Sequence, residues 1–264
     1  VTSGSIGDDY VNKSGVTYVS WAWDAGTSTA TNTDGSITSN VRANQSAGFS
    51  IVSYTGDGSG TDTIGHGLND APSLVITKSR GTTGSWRVFT DVGGTWKLGN
   101  LNNTDAFVNA TVSAPTSSVF SIDGNSNAST THIAYCFAPV ASYSAFGDFI
   151  NPSSTDGAFV YCGFKPAFIL AKCAENISSS SGLGHWILKD TTRSPYNDPS
   201  DGNTLVANVD AAEDDFFNAN QAAVDILSNG FKIRHPNSAP LGDTGRRYIF
   251  AAFASHPFKT ARAR

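Results

Sequence analysis

The stretch THIAYCFAPV, residues 131–140, decides the fold class because large and small side chains alternate along it. Ile133, Tyr135 and Phe137 would lie on one face of a β-strand, and a period of two residues is typical of a strand with one buried face. The same pattern recurs in two further stretches, TYVSWAWDAG (17–26) and RYIFAAFASH (247–256). A strand that recurs at nearly equal spacing indicates an internal repeat.

Other features recur in the same order between these strands. The apolar runs in GLNDAPSLVITK (67–78) and GFKPAFILAK (163–172) each begin near a proline and end on a lysine. The matched residues are Pro72 with Pro166, Lys78 with Lys172, Trp86 with Trp186, and Phe120 with Phe231. Chance similarity in a chain rich in Ser and Thr does not place so many landmarks in one order. The sequence therefore predicts two tandem units, residues 44–140 and 141–264.

The first copy of the recurring strand has no matching unit before it in this sequence. We expect residues 1–26 to contain the closing strand of a preceding, missing unit. The polar, turn-rich residues 27–43 would then be a linker to the first complete unit.

Composition supports an all-β protein and argues against several other classes. Hydrophobic residues make up 39% of the chain and aromatic residues 11%, which is enough apolar surface to form a core. The net charge of −5 and the absence of Lys/Arg clusters argue against nucleic-acid or anionic-membrane partners. No apolar run is long enough to span a bilayer. The three cysteines lack metal-ligand spacing and are interpreted as buried free thiols.

Short β-branched and aromatic runs separated by Gly, Asn, Asp, Ser and Pro fill both predicted units. In DILSNGFKIR (225–234), Asn229-Gly230 lies between two apolar runs, a strong hairpin signal because that turn requires positive φ. Only residues 211–227 have any helical character, and an irregular loop is the preferred interpretation there. We therefore predict two tandem β-sandwich units of jelly-roll or lectin-like type, with an orphan strand at the N-terminus.

Known catalytic and cofactor motifs find no match. The segment GTDTIGHG (60–67) has His66 where a phosphate loop needs lysine, and no nucleophile elbow is present. Asp57 and Asp62 would both reach a calcium ion, but no further carboxylate closes the site, so a solvated turn is favoured. The only acidic run is formed by Glu213, Asp214 and Asp215. A glycosidase needs two carboxylates held close together in space. A solvated loop is the favoured interpretation of this run too. The sequence predicts no enzyme activity, no cofactor and no metal.

His132 matches Tyr248 and is interpreted as a strand-face residue.

Aromatic residues in polar loop sequence are the candidate binding residues. Trp86 and Trp186 recur at one unit position and are assigned to the core. The aromatics without a counterpart and with Asn, Asp or Gly neighbours are Trp96, Tyr196, Phe216 and Phe217. Such a side chain would offer a flat apolar platform beside hydrogen-bonding groups to a sugar face or a protein subunit. Folding of these side chains back onto the sandwich is the alternative.

Several stretches resemble a module that is common in predicted structural proteins of marine bacteriophages, usually labelled tail fibre or fibre-like. The stretches are GFSIVSYTGDGSGTDTIGHGLNDAPSLVITKSR (48–80), AYCFAPVASYSAFG (134–147), FVYCGFKPAFILAK (159–172) and YIFAAFASHPFK (248–259). In that family a laminin-G-like lectin domain often precedes a strand similar to TYVSWAWDAG. The resemblance implies a protein on the virion surface that associates with other virion proteins, generally as a homotrimer. It implies no active site.

Together these features predict a non-enzymatic virion structural protein. The preferred interpretation is the distal part of a tail fibre that binds a host-surface receptor or glycan, through second-unit loops 190–203 and 210–221. A purely architectural role, as a capsid decoration or a tail or filament subunit, is the alternative. A glycan-cleaving tailspike domain comes third.

Overall fold

A computed structural model describes residues 15, 17–152, 156–175, 184–197, 203–213, 224–234 and 240–255. These residues form eighteen β-strands and one short 3-10 turn, Gln45–Ala47, with no α-helix in the described ranges. The predicted all-β, sandwich-type fold is therefore confirmed.

The first ten strands belong to the first unit. Their bounds are β1 Ala30–Asn32, β2 Ser39–Asn44, β3 Phe49–Thr55, β4 Asp62–Gly65, β5 Leu74–Ser79, β6 Arg87–Val92, β7 Thr95–Asn100, β8 Val108–Asn109, β9 Val119–Ile122 and β10 Thr131–Phe137. The second unit follows with β11 Ser144–Ile150, β12 Phe159–Tyr161, β13 Pro166–Cys173, β14 Ile187–Asp190, β15 Leu205–Val206, β16 Val224–Leu227, β17 Gly230–Ile233 and β18 Arg247–Ala254.

Each unit contains one large and one small antiparallel sheet. The first unit has a large sheet in the order β1-β2-β3-β10-β5-β6-β7-β8 and a small sheet of β4 and β9. In the second unit the orders are β11-β18-β13-β14-β15 and β12-β17-β16. The shared strands thus follow one order in both units: β3, β10, β5, β6 and β7 correspond to β11, β18, β13, β14 and β15.

Three apolar layers hold these sheets together. One lies inside the first unit, between its large and small sheets, and another occupies the same place in the second unit. The third, here called the inter-unit core, lies between the two large sheets and includes Phe137 from β10, Phe168 from β13 and Phe253 from β18. Where a large sheet is covered by apolar layers on both faces, its strand is apolar on both faces, as in β18 (RYIFAAFA).

The ladders of the two units have the same register. On β10, His132 lies opposite Ser79 of β5, and on β18 Tyr248 lies opposite Cys173 of β13. Each of these ring residues also stacks on its other neighbour: His132 lies 5.2 Å from Tyr54, measured between ring centroids. The matched pair in the second unit, Tyr248 and Phe149, is 5.4 Å apart. Equal register places equivalent residues on equivalent faces throughout.

Residues 17–26 form no strand, contrary to the prediction. Their tryptophan rings instead enter the inter-unit core, where Trp21 and Trp23 make edge contacts with Phe168 at 5.4 and 5.5 Å. An apolar cavity of about 350 Å³ remains beside Trp23, between the two large sheets. Burial of the rings therefore replaces the ladder pairing that the alternating pattern suggested.

The predicted linker, residues 27–43, is also part of the fold. It contributes β1 and most of β2, and β2 pairs with β3 along its whole length. Polar residues suit this hairpin because β1 is an edge strand whose side chains face solvent.

The hairpin predicted at 225–234 is present, but its turn is one residue earlier. Leu227 pairs directly with Gly230, so Ser228 and Asn229 form the turn and neither has positive φ. A Cβ atom on Gly230 would lie 2.0 Å from the carbonyl oxygen of Val160 on β12. Gly230 therefore permits the close approach of the neighbouring strand.

Candidate functional site

The connection between β14 and β15 is an addition to the shared framework. In the first unit the equivalent strands, β6 and β7, are joined by Gly93 and Gly94, whose φ angles of 64° and 79° make a tight turn. In the second unit β14 ends at Asp190 and β15 begins at Leu205. This connection, residues 191–204, is here called the β14–β15 loop, and the structure describes its residues 191–197 and 203–204.

Arg193 fixes the base of this loop. Its Nε donates to Oδ2 of the buried Asp190 at 2.6 Å, and its Nη1 donates to the carbonyl oxygen of Asn203 at 3.2 Å. The same Nη1 also pairs with the carboxylate of Glu213. The Asn203 side chain returns a hydrogen bond to the Arg193 carbonyl oxygen at 2.9 Å. One guanidinium therefore ties together the end of β14, the far end of the loop and the segment after β15.

The pKa of Asp190 reflects this network. Burial by itself would raise the pKa of this carboxyl, because the charged form loses water. Hydrogen bonds from the backbone and side chain of Arg193, its positive charge, and the backbone N–H of Thr192 outweigh burial and lower the pKa. The carboxylate is therefore ionised and holds the loop at neutral pH.

Tyr196 projects from the middle of the loop with 81% of its surface exposed. Next to it, Asn197 pairs with the backbone of Ile226 on β16: its Nδ2 donates at 3.0 Å and its Oδ1 accepts at 2.8 Å. Among the described residues, Oγ of Ser194 and Nη2 of Arg193 are buried without a hydrogen-bond partner. The described part of the loop thus presents an exposed ring between two anchored residues, Arg193 and Asn197.

The other predicted anchors do not join Tyr196. Trp96 is half-buried on β7, opposite Asp91, and packs against the apolar core of the first unit. That core and β16 lie at opposite ends of the layered structure, so Trp96 and Tyr196 belong to separate surfaces. Phe216 and Phe217 lie outside the described residues.

Sequence analysis missed one exposed aromatic pair. Phe159 and Tyr161 lie on the same face of β12 and are 48% and 69% exposed, while Val160 between them is buried. β12 is an edge of its sheet, with one side of its backbone unpaired by the other described strands. The run FVY carried a signal, because three consecutive apolar residues in a strand place apolar groups on both faces.

The acidic residues considered for metal binding or catalysis form hydrogen-bonded turns. Asn127 Nδ2 donates to Asp57 at 3.0 Å and to Asp62 at 2.8 Å. Hydrogen bonds, chiefly from Ser59 to Asp57 and from Ser36 to Asp62, lower the pKa of both carboxyls. In the described part of the chain, no group of three His, Cys, Asp or Glu side chains is placed to hold a metal ion. A search of the same residues finds no helix with the length and apolarity needed to cross a membrane.

Comparison with known proteins gives a family but no characterised relative. Neither the curated proteins nor the solved structures include a match to this chain. The model of one family, described as a domain of unknown function (DUF7483), matches residues 1–257. Because the match covers nearly the whole sequence, the chain belongs to the DUF7483 family.

Proposed function

We propose that this chain is a non-catalytic binding module of a virion, the distal part of a phage tail fibre that contacts a host-surface receptor or glycan. The observation that carries the proposal is Tyr196, a ring 81% exposed in the described part of the β14–β15 loop, between the anchored residues Arg193 and Asn197. The second unit adds this loop to a framework that the first unit builds without it.

Anchoring matters for affinity because a ring whose neighbouring residues are already held in place loses less entropy on binding. Tyrosine is well suited to such a surface, since it offers a large rigid face and a polar tip. The hydroxyl of this exposed ring both donates and accepts hydrogen bonds, so it is available to an incoming polar group. An apolar face with adjacent donors matches the chemistry of a sugar ring or of a polar protein loop.

Two features support a non-catalytic role on a particle surface. Glu213, the described member of the acidic run, has its carboxylate engaged by Arg193 in a structural ion pair. The stretches that resemble fibre-like proteins of marine bacteriophages include the strands β3, β5, β10, β12, β13 and β18 of both units. The virion setting rests on that resemblance, and the location of the binding surface rests on the geometry.

The second candidate is an architectural role, which the exposed pair Phe159 and Tyr161 favours. Aromatic side chains on an edge strand are suited to contact a neighbouring subunit, and further strands add readily to such an edge. In this form the chain would assemble into a homo-oligomer, a trimer by analogy with fibre proteins. The two roles are compatible because the two surfaces use different strands.

Matched tyrosine variants test the proposal. Labelled chain is incubated with host cells or an oligosaccharide array, and Tyr196→Ala is compared with Tyr161→Ala. We expect Tyr196→Ala to weaken binding by about tenfold or more, the size of an aromatic anchor, and Tyr161→Ala to leave it unchanged. Unchanged binding by a folded Tyr196→Ala variant would contradict the proposed surface. A Tyr161→Ala variant with a smaller mass by light scattering than the wild type supports the architectural role.

A further inference from the structure

A polar cavity of about 350 Å³ opens in the first unit, far from the β14–β15 loop. Its floor is formed by strand residues of the large sheet, and its walls by the loop after β5 and the loop before β10. Apart from two glycines and Ala128, every lining residue is polar. Its volume falls within the range of small-molecule sites, whose linings are usually apolar, so this polarity needs an explanation.

The second unit shows what the same positions look like without a cavity. The register matches the floor residues Thr77, Ser79, Arg87 and His132 to Ala171, Cys173, Ile187 and Tyr248. All four second-unit residues are buried in that unit's apolar core. Strand β16 helps to cover them, since Val224 and Ile226 pack against this core. The small sheet of the first unit has no third strand, and its floor positions are polar: Thr77 and His132 are buried, whereas Ser79 and Arg87 are partly exposed at the cavity.

Two buried nitrogens of the floor lack partners among the described residues: Arg87 Nε and His132 Nδ1. His132 Nε2 lies 3.1 Å from the carbonyl oxygen of Ala128, which only accepts hydrogen bonds, so Nε2 carries a proton. In the neutral tautomer Nδ1 is therefore an acceptor. The floor contains one unused donor and one unused acceptor, and a hydroxyl group satisfies either of them.

Charge in the cavity is balanced. Arg87 pairs with the carboxylate of Asp123, which also accepts from the backbone N–H of Ser126 at 3.1 Å. The hydroxyls of Thr77 and Ser126 lie 3.1 Å apart, and those of Ser79 and Thr82 lie 2.8 Å apart. Each hydroxyl has more than one hydrogen-bonding position and so retains capacity for a ligand. A neutral ligand with several hydroxyls matches this lining better than an anion or a cation.

We infer that this cavity is a binding site for a neutral polyhydroxylated ligand of about monosaccharide size. The site lies in the first unit and does not depend on the function proposed for the β14–β15 loop. The ligand's hydroxyls would bond with the Ser and Thr side chains of the walls, and a small shift of the floor side chains would bring the buried His132 Nδ1 and Arg87 Nε into contact with it. The second unit lacks such a site because its equivalent positions are apolar.

Chemical-shift mapping of the full ¹⁵N-labelled chain tests the inference. D-glucose, D-galactose and N-acetyl-D-glucosamine are titrated separately, with inorganic phosphate as the anionic comparison. We expect at least one sugar to cause saturable shifts in residues 77–87 and 123–132, and phosphate to cause none there. No saturable shift with any sugar, or an equal response to phosphate, overturns the inference.

Two variants and one control locate the site. Thr83→Trp places a large side chain at an exposed wall position, and we expect it to abolish the sugar-induced shifts. His132→Tyr introduces the residue that the second unit carries, and we expect at least tenfold weaker binding. The control Thr111→Trp adds the same large side chain at an exposed position outside the cavity lining, and it should bind the sugar as the wild type does. If His132→Tyr does not fold, Thr83→Trp decides the question: unchanged sugar binding in that variant contradicts the assignment.

Discussion

Equivalent positions on the large sheets of the two units contain opposite chemistry. In the first unit Thr77, Ser79, Arg87 and His132 face a polar cavity, and in the second Ala171, Cys173, Ile187 and Tyr248 face a closed apolar core. The strand order and register are nevertheless the same. The backbone hydrogen bonds between strands do not depend on side-chain type, so the side chains on this face can differ between the units when a different set of strands covers the face. The strand that makes the difference is β16, which covers the face in the second unit and has no counterpart among the described strands of the first.

The opposite faces of the two large sheets differ less, because both contribute to the inter-unit core. Trp186 is fully buried there, and its Nε1 donates to the carbonyl oxygen of Asn100 at 2.8 Å. Its counterpart Trp86 is half-buried and stacks on Tyr135 with 6.3 Å between ring centroids. Trp186 thus joins the two units, whereas Trp86 packs against its own sheet.

The largest expected effect is that of Trp186→Ala. Loss of a buried ring leaves a cavity and an unpaired carbonyl, so we expect it to lower the free energy of unfolding by about 3–5 kcal/mol. Trp86→Ala, the matched change, should cost about 1–2 kcal/mol because the ring is only half-buried. Urea denaturation of both variants measures the difference. Equal costs would mean that the two tryptophans have equivalent packing.

Lys172 gives a second contrast between matched residues. Burial lowers its pKa to about 8, although Nζ donates to the carbonyl oxygen of Gly184. The folded state releases this proton at lower pH than the unfolded state, whose ordinary pKa is 10.5. The free energy of unfolding should therefore gain up to about 3 kcal/mol from this residue between pH 8 and 10.5.

Lys172→Met should abolish that gain in the free energy of unfolding. Thiols and tyrosines also titrate in this pH range, but they contribute equally to the variant and the wild type, so the difference between the two measures the contribution of Lys172. Lys78→Met is the matched control, because the half-buried Lys78 donates to the adjacent Ser79 carbonyl oxygen. Unfolding by urea at several pH values provides the measurement. An unchanged pH dependence in Lys172→Met contradicts the burial of a destabilising charge there.

Arg193→Ala tests the anchoring that distinguishes the β14–β15 loop from the Gly93-Gly94 turn. The buried Asp190 would keep its backbone donors but lose the guanidinium, so we expect a cost of about 2 kcal/mol. Glu213→Gln removes only the more exposed member of the network and should cost less than about 1 kcal/mol. Proteolysis within residues 191–197 should accelerate in Arg193→Ala alone. A loop that remains protected would show that other contacts order it.

The smallest expected effect on stability is that of Tyr196→Ala. A ring this exposed contributes little to packing, so the free energy of unfolding should change by less than about 0.5 kcal/mol. Thermal unfolding of the variant used for cell binding provides the check. A larger loss would indicate that Tyr196 packs against the sandwich, the alternative considered from the sequence.

Strand residues were the most predictable part of the molecule. Short β-branched and aromatic runs between turn residues predicted β3, β5, β6, β9 and β10 in the first unit and β12, β13, β14, β17 and β18 in the second, with two-residue alternation as added evidence for β10 and β18. β11 was missed because Gly147 and Asp148 interrupt its apolar pattern. Residues 17–26 were assigned to a strand because alternation indicates one buried face and does not specify whether a ladder or a neighbouring ring covers it.

The candidate sites were only partly predictable. Tyr196 was identifiable from its polar neighbours, whereas Arg193 was not, because its partners Asp190 and Asn203 meet only after the loop closes. The cavity of the first unit carried no local signal, since Thr77 and Ser79 resemble the ordinary polar face of a strand. Its recognition required the register of both units, which matches them to Ala171 and Cys173.

Thiol labelling at one matched pair tests the contrast between open and closed floors most directly. Ser79→Cys places a thiol on the cavity floor of the first unit, at the position that Cys173 occupies in the second. Burial raises the pKa of the Cys173 thiol, which further lowers its reactivity. Native chain is treated with iodoacetamide, and the label is assigned by peptide mapping. We predict rapid labelling of Cys at position 79 and protection of Cys173 until the chain unfolds. Protection of both positions would contradict an open polar cavity in the first unit.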